Sequence, residues 1–190
     1  MSNDLVSTLS AVVSTLVIAI GAVAAIVQLR HLRASNELDG IIALEENFRN
    51  AEMQAALRYI QTELPLRLED SEYRAMLARR GFIDTHEHPE LIVCNWCNTL
   101  GTLVKHHVVS EEMFMDLFAR LIIFTWRNLE PVVAIMRRTR GEVQYHDFEY
   151  IAIRAERWLA QHPAGSFPKG HARRTIADPW HDVDEEPTVS

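Results

Sequence analysis

Cysteine is scarce in this sequence: of 190 residues only Cys94 and Cys97 carry a thiol. Two cysteines cannot build a disulfide framework, and their scarcity suits a reducing compartment. Glycine and proline are also sparse, at 7 each. That is too few turn formers for an all-β sandwich that reverses direction every ten residues or so. Lysine is nearly missing, since only Lys105 and Lys169 contribute to the 19 basic residues. The net charge of -7 argues against a general nucleic-acid surface, which needs clustered basic side chains. We read the preference for arginine as a codon-composition effect. No P-loop, Rossmann glycine pattern, nucleophile elbow or paired-carboxylate signature is present, which weighs against the common enzyme classes. Nothing in the chain calls for a cofactor.

Charge itself is absent from residues 5–29, LVSTLSAVVSTLVIAIGAVAAIVQL. The run is longer than the roughly 20 residues a membrane-spanning helix needs. A secretory signal peptide is the main competing reading. It would start with a basic region, whereas this chain starts Met-Ser-Asn-Asp, although Ala22-Val23-Ala24 resembles a cleavage site. Asp4 precedes the run, and Arg30, His31 and Arg33 follow it. The positive-inside rule then expects the N-terminus outside and the rest of the chain in the cytoplasm, on a bacterial inner membrane. The lipid bilayer is thus the first expected partner.

The run carries a polar stripe. At about 100° per residue, Ser7, Ser10, Ser14, Gly21, Ala25 and Gln28 fall within roughly 60° of one another. Small residues let helix backbones approach, and hydroxyls bond across the interface. The stripe therefore predicts either ordinary helix packing in a homo-oligomer or a ring of helices lining a water-filled lumen.

The rest predicts an all-α protein, with a cytosolic helical bundle following the N-terminal transmembrane helix. We divide it into a span and basic flank (1–33), a bundle (34–162) and a poorly ordered tail (163–190). Residues 35–64 read as a second helix, either separate from the first or continuous with it: Met53, Ala56, Leu57, Ile60 and Leu64 recur at helical spacing, and Pro65 ends it. A short helix is expected from Ser71 to Arg80, capped by Gly81, and a loop from Phe82 to His88. A helix from Pro89 to Val109 is apolar nearly all round and belongs at the bundle centre. Ser110 reads as an N-cap, followed by Glu111 and Glu112. Pro131 should kink or split that helix before Gly141 ends it. A last helix near Asp147 carries Phe148, Ile151, Ala152, Ala155, Trp158 and Leu159. Pro163, Pro168, Pro179 and Pro187 follow it.

Few residues suggest chemistry. Cys94 and Cys97 form a CxxC, and with His86 and His88 they could make four zinc ligands. Inside an apolar helix they read more simply as buried structural thiols. His86 and His88 lack the one-turn spacing of a zinc protease and read as surface loop histidines. Arg140 and His146 fit the loose Arg-x(4–6)-His pattern of HEPN-superfamily ribonucleases, a resemblance that would make them catalytic. Arg80 with His86 and Arg157 with His162 fit it equally. The cluster Arg137, Arg138, Arg140 complements a helix C-terminus.

One resemblance covers most of the chain. A single span leads into a helix, then come Trp126-Arg127-Asn128-Leu129-Glu130-Pro131 with a basic run, Phe148-Glu149 opening the last helix, and Phe167-Pro168. The pattern resembles a bacterial family of small single-pass membrane proteins catalogued as a domain of unknown function. The architecture is also similar to the membrane accessory protein of type VI-B CRISPR systems, a ring-forming pore with a HEPN-like cytosolic domain. These resemblances imply a homo-oligomeric membrane protein, a pore-forming effector or accessory protein in antiviral defence. The alternatives are a membrane-tethered module that recruits an unidentified protein partner, and a tethered ribonuclease.

Overall fold

A computed structural model describes residues 2–168 and 170–180; side chains are described from residue 13 onward, except those of residues 30, 33–38 and 169. The described residues are all-helical, with no strand among them. The elements are α1 (Ser2–Arg49), α2 (Ala51–Thr62), α3 (Leu64–Arg67), α4 (Ser71–Leu77), α5 (Glu90–Lys105), α6 (Glu111–Arg140) and α7 (His146–Gln161).

The uncharged run and the segment after it form one unbroken helix of 48 residues. It ends where Asn50 takes an extended conformation and its side chain accepts from the Met53 amide at 2.7 Å. One asparagine thus closes α1 and caps α2. Gln54 Nε2 donates to the Phe48 carbonyl at 2.7 Å, satisfying one of the carbonyls that α1 leaves free. Pro65 does not end α2. That helix stops at Thr62, and Pro65 sits in the first turn of α3, where its missing amide costs nothing.

The bundle is built around α5, which packs against α2, α6 and α7. Its buried side chains include Leu91, Val93, Cys94, Cys97, Leu100 and Val104. Helix α5 stops at Lys105, earlier than expected, because His107 takes a positive φ of 55° and turns the chain toward Ser110. Ser110 caps α6 as its sequence predicts, with its hydroxyl accepting from the Met113 amide. Helix α4 likewise ends at Leu77, short of Gly81.

Helix α6 runs for 30 residues straight through Pro131. Proline removes one backbone bond there. Buried Leu129, Val132, Val133, Ile135 and Met136 flank it and hold the helix to the core, so it does not split. Helix α7 closes the bundle with Phe148, Ile151, Ala152 and Ala155 buried. Residues 163–168 and 170–180 contain no helix; the rest of the expected tail, 181–190, lies outside the described residues.

Candidate functional site

Two features stand apart from this packing. The first is α1 itself. Among its described side chains Ile41 and Leu44 are buried, and Phe48 stacks on Trp96 at 5.7 Å between ring centroids. Every described side chain over 13–29 is exposed, including Val13, Leu16, Val17, Ile18, Ile20, Val23, Ile26, Val27 and Leu29. The bundle has a complete core without them. Among the described residues, no helix is long and apolar enough to cross a membrane.

Of the polar stripe, Ser14, Gly21, Ala25 and Gln28 are described and exposed, while the side chains of Ser7 and Ser10 lie outside the description. Nothing lies within 4 Å of a Cβ built on Gly21. At about 100° per residue, the stripe lies roughly opposite Ile41, Leu44 and Phe48, the residues that grip the bundle. A neighbour packed on the stripe would therefore meet no obstruction from the bundle.

The second feature is a chain of polar groups in the core. The Tyr73 hydroxyl donates to Glu90 Oε1 at 2.6 Å, and His88 Nδ1 lies 2.9 Å from the same oxygen. The Tyr59 hydroxyl is 3.0 Å from that of Tyr73. Glu90 and His88 are both buried, and the Tyr73 and His88 rings are 4.5 Å apart. Burial, reinforced by the Glu90 carboxyl and the Tyr59 hydroxyl, pushes the Tyr73 phenol far above its ordinary range. Neither His88 Nε2 nor Glu90 Oε2 has a hydrogen-bond partner among the described residues. A cleft lined by Tyr59, Arg67, Tyr73, His86 and His88 borders the network.

His88 is therefore not a surface loop histidine. Pro89 opens α5 and turns the preceding ring inward onto Tyr73, whereas His86 stays exposed. The pattern His88-Pro89-Glu90 carried a signal for this arrangement. The two tyrosines could not be read from it, because they arrive from α2 and α4.

Cys94 and Cys97 are fully buried among apolar side chains, apart from a 3.7 Å contact between Cys97 Sγ and the Thr125 hydroxyl. Burial pushes the Cys94 thiol well up and that of Cys97 to about 12. The described residues bring together no group of three or more His, Cys, Asp or Glu placed to hold a metal.

Arg140 and His146 have separate partners. Arg140 Nη2 donates to the carbonyls of Arg79 and Gly81, at 2.8 and 3.0 Å, and braces the exit of α4. His146 Nδ1 is 2.9 Å from the Val143 carbonyl, and its Nε2 is 3.2 Å from Asp147 Oδ1. Asp147 also accepts from Lys105 at 2.5 Å and from the Thr102 hydroxyl at 2.7 Å. Burial raises its carboxyl, but the bonds from Lys105 and Thr102 outweigh burial and leave it below its usual value. The basic run at the end of α6 is likewise spoken for in part: Arg137 pairs with Glu149 at 2.7 Å and bonds the Gln144 carbonyl.

An all-helical bundle carried on a protruding N-terminal helix is thus the class that the fold defines. A family model, Domain of unknown function (DUF4760), matches residues 15–158, and the chain belongs to that family. The match takes in the exposed part of α1 from Thr15 onward together with the bundle, so both are parts of one family unit. No curated protein and no solved structure matches the chain.

Proposed function

We propose that this protein is a membrane-anchored helical protein that self-associates through α1, with its bundle on the cytoplasmic side. The observation that carries this reading is the exposed apolar stretch at 13–29 beside a bundle whose core is already complete. The described stretch alone is shorter than a span. The sequence before it, residues 5–12, is also uncharged and extends the run past the roughly 20 residues required. Arg30 and Arg33 supply the cytoplasmic flank. The stripe of Ser14, Gly21, Ala25 and Gln28, directed away from the bundle, supports association between copies.

Two measurements test it. The full chain should stay with membranes through alkaline carbonate washing; release into the wash would end the anchoring reading. Its mass in detergent should be a multiple of the 21.8 kDa chain, and a monomer at all concentrations would end self-association.

A second reading follows from the polarity of the stripe. If several α1 helices form a ring, Ser14, Gly21 and Gln28 would face a lumen. Purified protein should then release a small dye from liposomes, and Ser14→Leu with Gly21→Leu should block the release.

A further inference from the structure

Helix α1 meets the bundle at one identifiable end. A Cβ built on Gly40 would stand 4.0 Å from Val109 Cγ2, while Phe48, about two turns on, stacks on Trp96. The helix thus runs antiparallel to α5, and its exposed apolar part projects from the end where α5 stops and α6 starts. Helix α7 finishes at the same end. Arg154 Nε donates to Glu111 Oε1 at 2.6 Å, Trp158 and Gln161 line a cavity with Ser110, and the Ser166 hydroxyl donates to Asp116. The segment 163–180 therefore leaves the bundle on the side of the apolar run. Phe82 marks the other end, where Arg140 at the close of α6 bonds the Gly81 carbonyl.

That segment has a composition of its own. From Gln161 to Ala177 the chain holds Lys169, Arg173 and Arg174 and no acidic residue, against a net charge of -7 for the whole. Acidic residues return only at Asp178, Asp182, Asp184, Glu185 and Glu186. Phe167 is 48% exposed, Trp180 66% and Ile176 90%. The Arg173 guanidinium lies 5.0 Å from the centroid of the Phe167 ring, and Phe167, Arg173, Arg174 and Ile176 line one cavity. Apolar and cationic side chains are gathered there into a single patch.

We propose that this segment is a second membrane contact, in which Phe167, Ile176 and Trp180 enter the interfacial layer and Arg173 and Arg174 bind the phosphates of anionic lipids. The inference rests on the reading of α1 as a membrane anchor. Position and reach select the partner. Gly40 lies eleven residues beyond Leu29, about 16 Å along the helix. Headgroups fill about 5–7 Å of that distance, half the difference between the full bilayer and its hydrocarbon core. The remaining gap of roughly 10 Å needs only three or four extended residues, and the segment is several times longer. Tryptophan suits the interface, where its ring is buried and its N–H stays wet. Arginine grips phosphate through two parallel bonds. Two acidic side chains at this end, Glu111 and Asp116, are already bonded to Arg154 and Ser166.

The test uses the full chain in liposomes of equal parts phosphatidylglycerol and phosphatidylcholine, with an environment-sensitive dye on one added cysteine. The native thiols are buried and give little background. A spin label carried near the headgroups should quench a dye on Ile176→Cys about threefold or more above a dye on Phe82→Cys. In phosphatidylcholine alone, or with Arg173→Glu and Arg174→Glu together, that difference should disappear. All these positions are exposed, so circular dichroism should show the fold unchanged.

Equal quenching at positions 176 and 82 overturns the proposal. So does quenching that ignores both lipid charge and the double substitution, and so does a dye that responds to an RNA oligonucleotide but not to liposomes. A dye on Val23→Cys, opposite the polar stripe, separates this contact from the anchor. If it is quenched within the bilayer while Ile176→Cys is not, the second contact is removed and the span stands. If neither is quenched and the chain washes off the liposomes, the reading beneath the proposal fails with it.

Discussion

Gly101 and Asp147 are in contact through backbone: a Cβ built on Gly101 would stand 1.9 Å from the Asp147 carbonyl oxygen. Glycine inside a helix costs about 0.5–1 kcal/mol relative to alanine. Its place in α5 is explained by the approach of α7, which no side chain would permit. The same junction places Tyr145 at a φ of 57°, with its hydroxyl donating to Asn95 Oδ1 at 3.0 Å.

Gly101→Ala should therefore destabilise the fold by about 3 kcal/mol or more, the upper part of the range for overpacking. The obstacle is main chain, so no rotamer change relieves it. Urea titration in detergent, followed by circular dichroism, measures the loss. A change below 1 kcal/mol would show that α5 and α7 are less closely packed than described.

Asp147 gives the fold a pH dependence. Its carboxyl is held below its usual value in the folded protein and returns to about 3.9 when unfolded. A group of this kind adds stability above the unfolded value and loses that contribution as pH falls through the folded one. Wild type should lose more stability than Asp147→Asn as the pH is lowered from about 5 toward 2. Parallel curves for the two proteins would contradict this.

The buried polar chain should respond unequally along its length. Tyr73→Phe removes a hydrogen bond to the Glu90 carboxyl and should cost about 1.5–3 kcal/mol. Tyr59→Phe removes only the outer, neutral bond and should cost about 1 kcal/mol. The order of the two denaturation midpoints decides the matter.

Cys94 and Cys97 should be silent toward a disulfide reagent at neutral pH in the folded protein and react together on denaturation. Burial raises both thiols, and the thiolate is the reactive form. Rapid labelling of either one in the native state would place it outside the core.

The helices announced themselves where periodicity and capping agreed. Ser110 began α6, and Phe148, Ile151, Ala152 and Ala155 lined α7. Local rules failed where packing overruled them. Pro131 predicted a break in α6, but the buried side chains around it hold the helix through the lost bond. His107 cut α5 short by entering a conformation that histidine seldom adopts and no pattern advertises. His88 looked exposed because its neighbours Glu87 and His86 are polar, and its burial depends on tyrosines distant in sequence. The exposed face of α1 was legible from composition alone.

The single residue Asn50 separates α1 from α2, and α1 runs unbroken from its apolar end to the Ile41, Leu44 and Phe48 side chains that fix it to the bundle. Forty-eight residues at about 1.5 Å each make a rod of roughly 70 Å. A rod without a joint conveys twist as well as position. If one copy of α1 rotates against another at its apolar end, the bundle must swing through the same angle, because nothing between them can absorb it. Two glycines inserted near residue 40 would uncouple the two ends while leaving each intact.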